Sequence, residues 1–203
     1  MLANTISKQL SQTAKGQRPV TSKQECDPDL IRRIANEDES ALRELYAAYG
    51  QRMYAYALRL TASPATADDV VQDTLIAVWQ SARSFRGEGR VLAWLLGIVH
   101  HTAMKGLRHI HQPITEEMEI VLPAPTALPE ERIQTKEEVH SLQKGLKSLS
   151  PEHRAVLELV FYQGMSLNEV AEVCHCPLGT VKSRLSYARR HLRGILSRQE
   201  EAK

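Results

Sequence analysis

One segment near the C-terminal end of the chain carries a dense set of basic side chains. Residues 166–192 read SLNEVAEVCHCPLGTVKSRLSYARRHL, and no acidic residue lies between Pro177 and Arg198. The basic residues of its second half and just beyond are Lys182, Arg184, Arg189, Arg190 and Arg193. A helix with this charge suits the groove of a polyanion, whose phosphates attract Lys and Arg. The alternative is a surface helix whose charges are only solvated.

Two helices joined by a tight turn must position this charge. Ser166 and Glu169 have the spacing of a capping box, in which each side chain accepts a hydrogen bond from a backbone N–H at the helix start. Pro177 fits the first position of the next helix. The inward apolar stripe of that second helix consists of Val181, Leu185, Ala188, Leu192 and Ile195. The pattern predicts a helix-turn-helix, a context that favours DNA binding over merely solvated charge.

Position along the second helix predicts which part of the DNA each residue would contact. Residues early in a recognition helix reach base edges, and basic residues further along mostly neutralise phosphates. The candidates for base contacts are Thr180, Lys182, Ser183, Ser186 and Tyr187. The candidates for phosphate contacts are Arg184, Arg189 and Arg190. In the turn, where one residue often has a positive φ, His175 tolerates that conformation better than most residues.

The sequence GTVKSRL, residues 179–185, with its arginine-rich continuation, resembles region four of the extracytoplasmic-function (ECF) sigma factors of bacterial RNA polymerase. The resemblance implies that the candidates above contact the minus-thirty-five promoter element. Tyr187 stands where the family usually has a basic residue, so the preferred DNA sequence cannot be carried over.

An acidic face is predicted on a helix that begins after Ser63 and Pro64, which have the residue types of an N-cap and a first-turn proline. Steps of three and four residues place Asp69, Gln72 and Asp73 on one side of it. Taken alone, the acids could be the charge bias usual near a helix N-terminus. The string ADDVVQDTLIAVW, residues 67–79, also resembles the third helix of region two. That resemblance implies docking on the clamp coiled coil of the polymerase's largest subunit.

A loop and the helix after it carry a second set of candidates. FRGEGR, residues 85–90, supplies two glycines and a charge cluster, and a helix is predicted from Val91. The segment resembles the part of region two that melts and reads the minus-ten element. Phe85, Arg86 and Gly87 would shape a pocket for a flipped base, and Lys105 and Arg108 would follow phosphates. The solvent-facing side also carries His100 and His101, where the family often has Arg-Asn.

The order of these segments predicts an all-α protein of two small helical domains joined by a Pro-rich, acidic linker, with the helix-turn-helix in the C-terminal domain. Residues 1–26 are expected to form a flexible basic tail, residues 27–110 region two, and residues 111–134 the linker. Residues 135–197 are expected to form region four, followed by a short tail, residues 198–203.

Composition excludes several classes. The 203 residues are 25% charged and 42% hydrophobic with a net charge of +2, and no apolar run reaches the roughly 20 residues that cross a bilayer. No signal peptide is evident, so we expect a cytoplasmic protein.

Cys26, Cys174, His175 and Cys176 could suggest a metal or redox site, but adjacent residues cannot easily converge on one tetrahedral ion, and no metal or cofactor is predicted. No catalytic motif is present, so the chain is not predicted to be an enzyme.

These patterns together predict a dissociable promoter-specificity subunit. By resemblance, its partners are core RNA polymerase, promoter DNA and an anti-sigma factor. Two alternatives stay open on the sequence: a stand-alone helix-turn-helix regulator that never joins polymerase, and a metal- or redox-sensing interaction protein built around residues 174–176. The acidic face at Asp69, Gln72 and Asp73 discriminates the first alternative, because it has a role only if polymerase binds there.

Overall fold

The computed structural model describes residues 28–85, 87, 89–109 and 144–200, and all regular structure in these ranges is helical. The helices are α1 (Pro28–Ala35), α2 (Glu39–Thr61), α3 (Pro64–Ser81), a 3-10 turn (Ala82–Ser84), α4 (Val91–His109), α5 (Pro151–Phe161), α6 (Leu167–Val173) and α7 (Leu178–Glu200). Residues 144–147 are also helical. The predicted all-α fold is confirmed.

Short polar side chains start several of these helices. Asp38 precedes α2 and accepts hydrogen bonds from the backbone N–H groups of Ser40 and Ala41. Ser63 accepts from the backbone N–H of Thr66 and is followed by Pro64, as the sequence predicted for α3. Ser150 caps α5 in the same way. These side chains accept hydrogen bonds from backbone N–H groups that have no partner inside the helix. The local sequence therefore determines where these helices begin.

The helices form two bundles, which we call the N-terminal bundle (α1–α4) and the C-terminal bundle (α5–α7). In the N-terminal bundle α2, α3 and α4 pack on one another, and the fully buried side chains include Leu45, Met53, Tyr56, Val78, Leu95 and Val99. In the C-terminal bundle the buried side chains include Val156, Leu159, Val170 and Val181. The two bundles correspond to the two predicted helical domains. The predicted linker, the N-terminal tail and the start of region four at residue 135 lie outside the described residues.

The bundles are not separate bodies, because α5 packs on α2 and α6 packs on α4. Buried side chains of both bundles form one continuous apolar cluster. At Gly97 of α4 an added Cβ would lie 3.9 Å from the Cα of Val173 in α6, an ordinary van der Waals contact, so the two helices lie close together there. The sequence predicted two domains but not that they pack together.

Candidate functional site

The capping box predicted at the helix-turn-helix is present. The backbone N–H of Glu169 donates to Ser166 Oγ at 3.3 Å, and the backbone N–H of Ser166 donates to Glu169 Oε2 at 2.7 Å. Helix α6 then ends in a turn where His175 has φ 47°, the left-handed conformation anticipated for it. The backbone N–H of Thr180 donates to the Pro177 carbonyl at 2.9 Å. Pro177 therefore immediately precedes α7 instead of occupying its first position.

Helix α7 presents its basic side to solvent because Val181 and Ala188 are fully buried against the bundle. The exposed candidates are Lys182, Ser183, Ser186, Tyr187 and Arg190, and the half-buried ones are Thr180, Arg184 and Arg189. Arg184 Nη1 lies 3.9 Å from Cys176 Sγ, so its guanidinium lies against the turn. The eight candidates share α7, but Arg184 is presented differently from the exposed cations.

Tyr187 lies in an aromatic cluster that the sequence did not predict. Its ring is 46% exposed and lies 4.5 Å from the His153 ring and 6.1 Å from the His191 ring, centroid to centroid. Ser150 Oγ and His153 Nδ1 are 2.7 Å apart. His191 could have been found from its four-residue spacing to Tyr187. His153 could not, because it belongs to α5.

The acidic face on α3 is open. Asp69, Gln72 and Asp73 are exposed, and none of the ion pairs among the described residues involves the two aspartates. Ile76, three residues after Asp73, is 56% exposed and extends the same face. A shallow hollow lined by Tyr46, Tyr54, Asp68 and Val71, among others, adjoins it. Ile76 was not predicted from the sequence as part of this face, although its three-residue spacing from Asp73 places it there.

The minus-ten candidates are only partly grouped. Phe85 is half-buried and packs on Trp94, with ring centroids 5.1 Å apart, consistent with a packing role for Trp94. Gly87 has φ 72° and open space around it. His101 and Lys105 are exposed on α4. Arg86 and the side chain of Arg108 lie outside the described residues.

His100 requires a correction, because it was expected to face solvent and is 7% exposed. Tyr56 OH lies 2.9 Å from its Nδ1, and the two rings stack. Burial, together with the nearby His175 and Arg184, lowers the pKa of His100 to about 4. The imidazole is therefore neutral near pH 7. The physical reason is the contact between α4 and α6, which covers this part of α4 and which helical periodicity within α4 cannot reveal.

The Cys174 thiol of the turn is poorly suited to redox chemistry. Cys174 and Cys176 are free and half-buried, and burial raises the pKa of Cys174 to about 12. A thiol with so high a pKa is a weak nucleophile near neutral pH. Within the described ranges, no group of three or more His, Cys, Asp or Glu residues is placed to hold a metal ion. Cys26 lies outside those ranges.

No helix among the described residues combines the length and apolar character needed to cross a membrane.

Two helical bundles with a helix-turn-helix in the second match the two conserved regions of the sigma-70 class. The family model "Sigma-70 region 2" matches residues 45–111, and "Sigma-70, region 4" matches residues 145–194. The ECF RNA polymerase sigma factor SigK of Mycobacterium tuberculosis is 30% identical over 172 residues, covering 82% of this chain and 91% of SigK. The chain therefore belongs to the ECF RNA polymerase sigma factors. It is a transcription initiation factor and not an enzyme.

Two solved structures resemble this one. The sigma factor RpoE of Bartonella quintana, in complex with the anti-sigma factor NepR, superposes with a TM-score of 0.58 at 26% identity, covering 76% of this chain and 96% of RpoE. CnrH, in complex with the cytosolic domain of CnrY, gives a TM-score of 0.60 at 24% identity, covering 84% of this chain and 97% of CnrH, which shows a shared fold.

Proposed function

We propose that this sigma factor binds core RNA polymerase through the acidic face of α3, reads the minus-thirty-five element with α7, and melts and reads the minus-ten element with the loop before α4 and α4 itself. We further propose that it acts in the cytoplasm and that an anti-sigma factor controls it. The proposed core-binding residues are Asp69, Gln72 and Asp73.

The observation that carries the core-binding proposal is the open acidic face on α3. Asp69 and Asp73 are exposed beside Ile76, and none of the ion pairs among the described residues involves either carboxylate. A rim of charge around an exposed apolar side chain is typical of a protein-binding surface. An arginine-rich partner would complement it.

The proposal for α7 is supported by five exposed polar and basic residues that follow one helix without an acid among them: Lys182, Ser183, Ser186, Tyr187 and Arg190. Phosphate contacts position such a helix and base contacts specify the site.

The anti-sigma proposal is supported by RpoE of Bartonella quintana, which was solved with NepR.

The test is co-purification with bacterial core RNA polymerase without DNA. We expect wild type to associate and Asp69→Arg/Asp73→Arg to lose association by at least about tenfold, because like charges placed across an interface repel. Glu39→Arg/Glu172→Arg is the matched control, since both acids are exposed on other helices. Helix content measured by circular dichroism shows that each variant is folded.

Equal loss in the control variant would contradict a specific role for α3. No association of folded wild type, with no inhibitor present, would favour a stand-alone helix-turn-helix regulator. Transcription from a promoter library by the reconstituted polymerase then tests whether initiation is promoter-selective.

A further inference from the structure

Tyr187 is an aromatic side chain on a helix surface that is otherwise polar and basic. It is 46% exposed, and no other large apolar side chain among the described residues of α7 is exposed. Its neighbours Ser183, Ser186 and Arg190 are exposed as well. A single exposed ring needs no explanation by itself. This ring, however, is held in place by side chains of two helices.

Two imidazoles pack against the Tyr187 ring. The ring of His153, near the start of α5, lies 4.5 Å from it between centroids, with the planes tilted by 40°. The ring of His191, one turn further along α7, lies 6.1 Å from it, and those two planes are only 10° apart. Both distances are in the range of attractive aromatic pairs. The phenol ring is therefore restrained although half of it faces solvent.

Each imidazole is in turn held by a serine. Ser150 Oγ lies 2.7 Å from His153 Nδ1, and Ser148 Oγ lies 2.7 Å from His191 Nε2. The Ser148 hydroxyl donates its proton to the Gly145 carbonyl at 2.8 Å. Because a hydroxyl has only one proton to donate, His191 Nε2 carries a hydrogen and donates it to Ser148 Oγ. The hydrogen bond fixes the orientation of the His191 ring.

The backbone segments that carry these side chains are packed on one another. A Cβ at Gly145 would lie 3.0 Å from side-chain carbons of Leu192 and of Ile195, so the segment before Ser148 lies directly on α7. Ala188, the residue after Tyr187, is fully buried in a cluster with Leu149 and with Leu157 of α5. These contacts fix α5, α7 and the segment between residues 144 and 149 relative to one another. The two serines and two histidines can therefore hold the ring in one orientation.

A restrained aromatic ring suits one feature of the major groove. The C5-methyl group of thymine is the apolar group that base edges present there. A ring that is already oriented can cover that methyl group without first losing rotational freedom. Ordering a mobile side chain on binding would weaken the affinity by roughly two- to tenfold. Side chains that orient Tyr187 therefore change how well it distinguishes thymine from other bases.

We propose that His153 and His191 are positioning residues for DNA reading: they hold Tyr187 so that its ring covers a thymine methyl group of the minus-thirty-five element. This role rests on the proposed function of α7. It adds two specificity-determining residues to the candidates on α7, one of them on α5 and outside the helix-turn-helix. Both histidines act through Tyr187, and neither has to touch DNA.

The probe is a duplex promoter that polymerase reconstituted with wild type selects from a library randomised in the minus-thirty-five element. Each thymine of the selected element is replaced in turn by deoxyuridine, which removes only the methyl group. The measured quantity is the ratio of the affinities of one polymerase for the two DNAs. We expect one position at which this ratio is roughly four for wild type, about the value for burying one methyl-sized group. Tyr187→Ala should reduce it to about one, and Tyr187→Phe should keep it.

The positioning role is tested with the same two DNAs. His153→Ala and His191→Ala should each lower the ratio at that position to less than about two, because the ring loses one of its supports. His153→Phe and His191→Phe keep an aromatic ring and should retain most of the ratio. Glu172→Ala, at an exposed position of α6, is the control and should match wild type. A general loss of folding or of polymerase binding weakens both affinities equally and leaves the ratio unchanged.

A double-mutant cycle separates positioning from direct contact. If His153 acts through Tyr187, His153→Ala should cause no further loss of promoter affinity when it is added to Tyr187→Ala. A further loss would mean that the imidazole contacts DNA itself and would overturn the positioning role. The role would also be overturned by a selected element without thymine, by a wild-type ratio of one at every thymine, or by a ratio that both His→Ala variants leave unchanged. If wild type selects no minus-thirty-five sequence at all, the proposed function of α7 fails, and this role fails with it.

Discussion

The two faces that the N-terminal bundle is proposed to offer to partners differ in accessibility. On α3, Asp69, Gln72 and Asp73 are exposed, whereas on α4 His100 is buried next to residues of the C-terminal bundle. Both faces belong to amphipathic helices of one bundle, and only one of them is covered by α6. The difference is that the proposed core-binding face is fully open, whereas the proposed minus-ten face is partly covered by the C-terminal bundle.

The largest expected effect is on the pH dependence of docking between the bundles, to which Glu158 and His100 contribute in opposite directions. Burial raises the pKa of Glu158 to about 7, against the effect of Arg59, so the docked state prefers a protonated carboxyl. Its contribution to docking is lost as pH rises from about 4.5 through 7. Burial lowers the pKa of His100 to about 4, so the docked state prefers a neutral imidazole and docking is lost as pH falls from 6.5 through 4.

The two pKa shifts act in opposite directions in wild type and appear separately in variants. Glu158→Gln should favour separation of the bundles at low pH, and His100→Asn should favour it at high pH. Each effect comes only from the part of the shift that the contact between the bundles causes, because Gln163 and Tyr56 contact Glu158 and His100 within their own bundles. The radius of gyration against pH measures this. His101→Asn and Glu172→Gln are exposed controls. Parallel profiles for the two test variants would refute the opposing signs.

The charged and titratable groups around these two residues must be held constant in that experiment. Glu158 lies near Arg59, Tyr162 and Tyr56, while His100 lies near His175, Arg184, Glu152, His101 and Tyr56. All of these groups remain in place in the single variants. A difference between variant and wild type at one pH therefore reports the substituted group.

A smaller effect tests whether the bundles unfold together. Ser166→Ala removes the side-chain acceptor that caps α6 and should destabilise the C-terminal bundle by about 1 kcal/mol. Both tryptophans, Trp79 and Trp94, belong to the N-terminal bundle. If the bundles are docked, tryptophan fluorescence during urea unfolding should show the same shift as circular dichroism. Ser63→Ala, which uncaps α3, is the control within the N-terminal bundle.

Docking would be contradicted if Ser166→Ala left the urea midpoint measured by tryptophan fluorescence unchanged while circular dichroism showed a second transition at lower urea concentration. That result would also make the accessibility difference between α3 and α4 disappear in solution.

The smallest expected effect is on the salt dependence of promoter binding, where an exposed and a covered residue of α7 can be compared. Arg190 is exposed, whereas Arg184 lies against Cys176. Arg190→Ala should reduce the slope of log affinity against log salt by about 0.9, the value for one phosphate contact, and Arg184→Ala should reduce it by less than half as much. The measurement is promoter binding by the reconstituted polymerase across salt concentrations, with Arg43→Ala as an exposed control on α2. Equal slopes for the two variants would show that Arg184 leaves Cys176 when DNA binds.

The sequence by itself determined the helices, their starts and the face that each turns to its own bundle. Caps such as Ser63 and Ser166 act within three residues, and apolar spacing of three and four residues is a property of one helix, so neither depends on the rest of the fold. The acidic face on α3 and the left-handed His175 were predictable for the same reason.

Only the tertiary structure decided which outward faces are covered. Arg59 and Glu158 are 99 positions apart, and neither has a local signal that would identify the other as its partner. The burial of His100 by α6 and the packing of the His153 ring against the Tyr187 ring arise in the same way. Burial of a residue depends on every element that packs on it, and a helical repeat carries information only about neighbours within one or two turns.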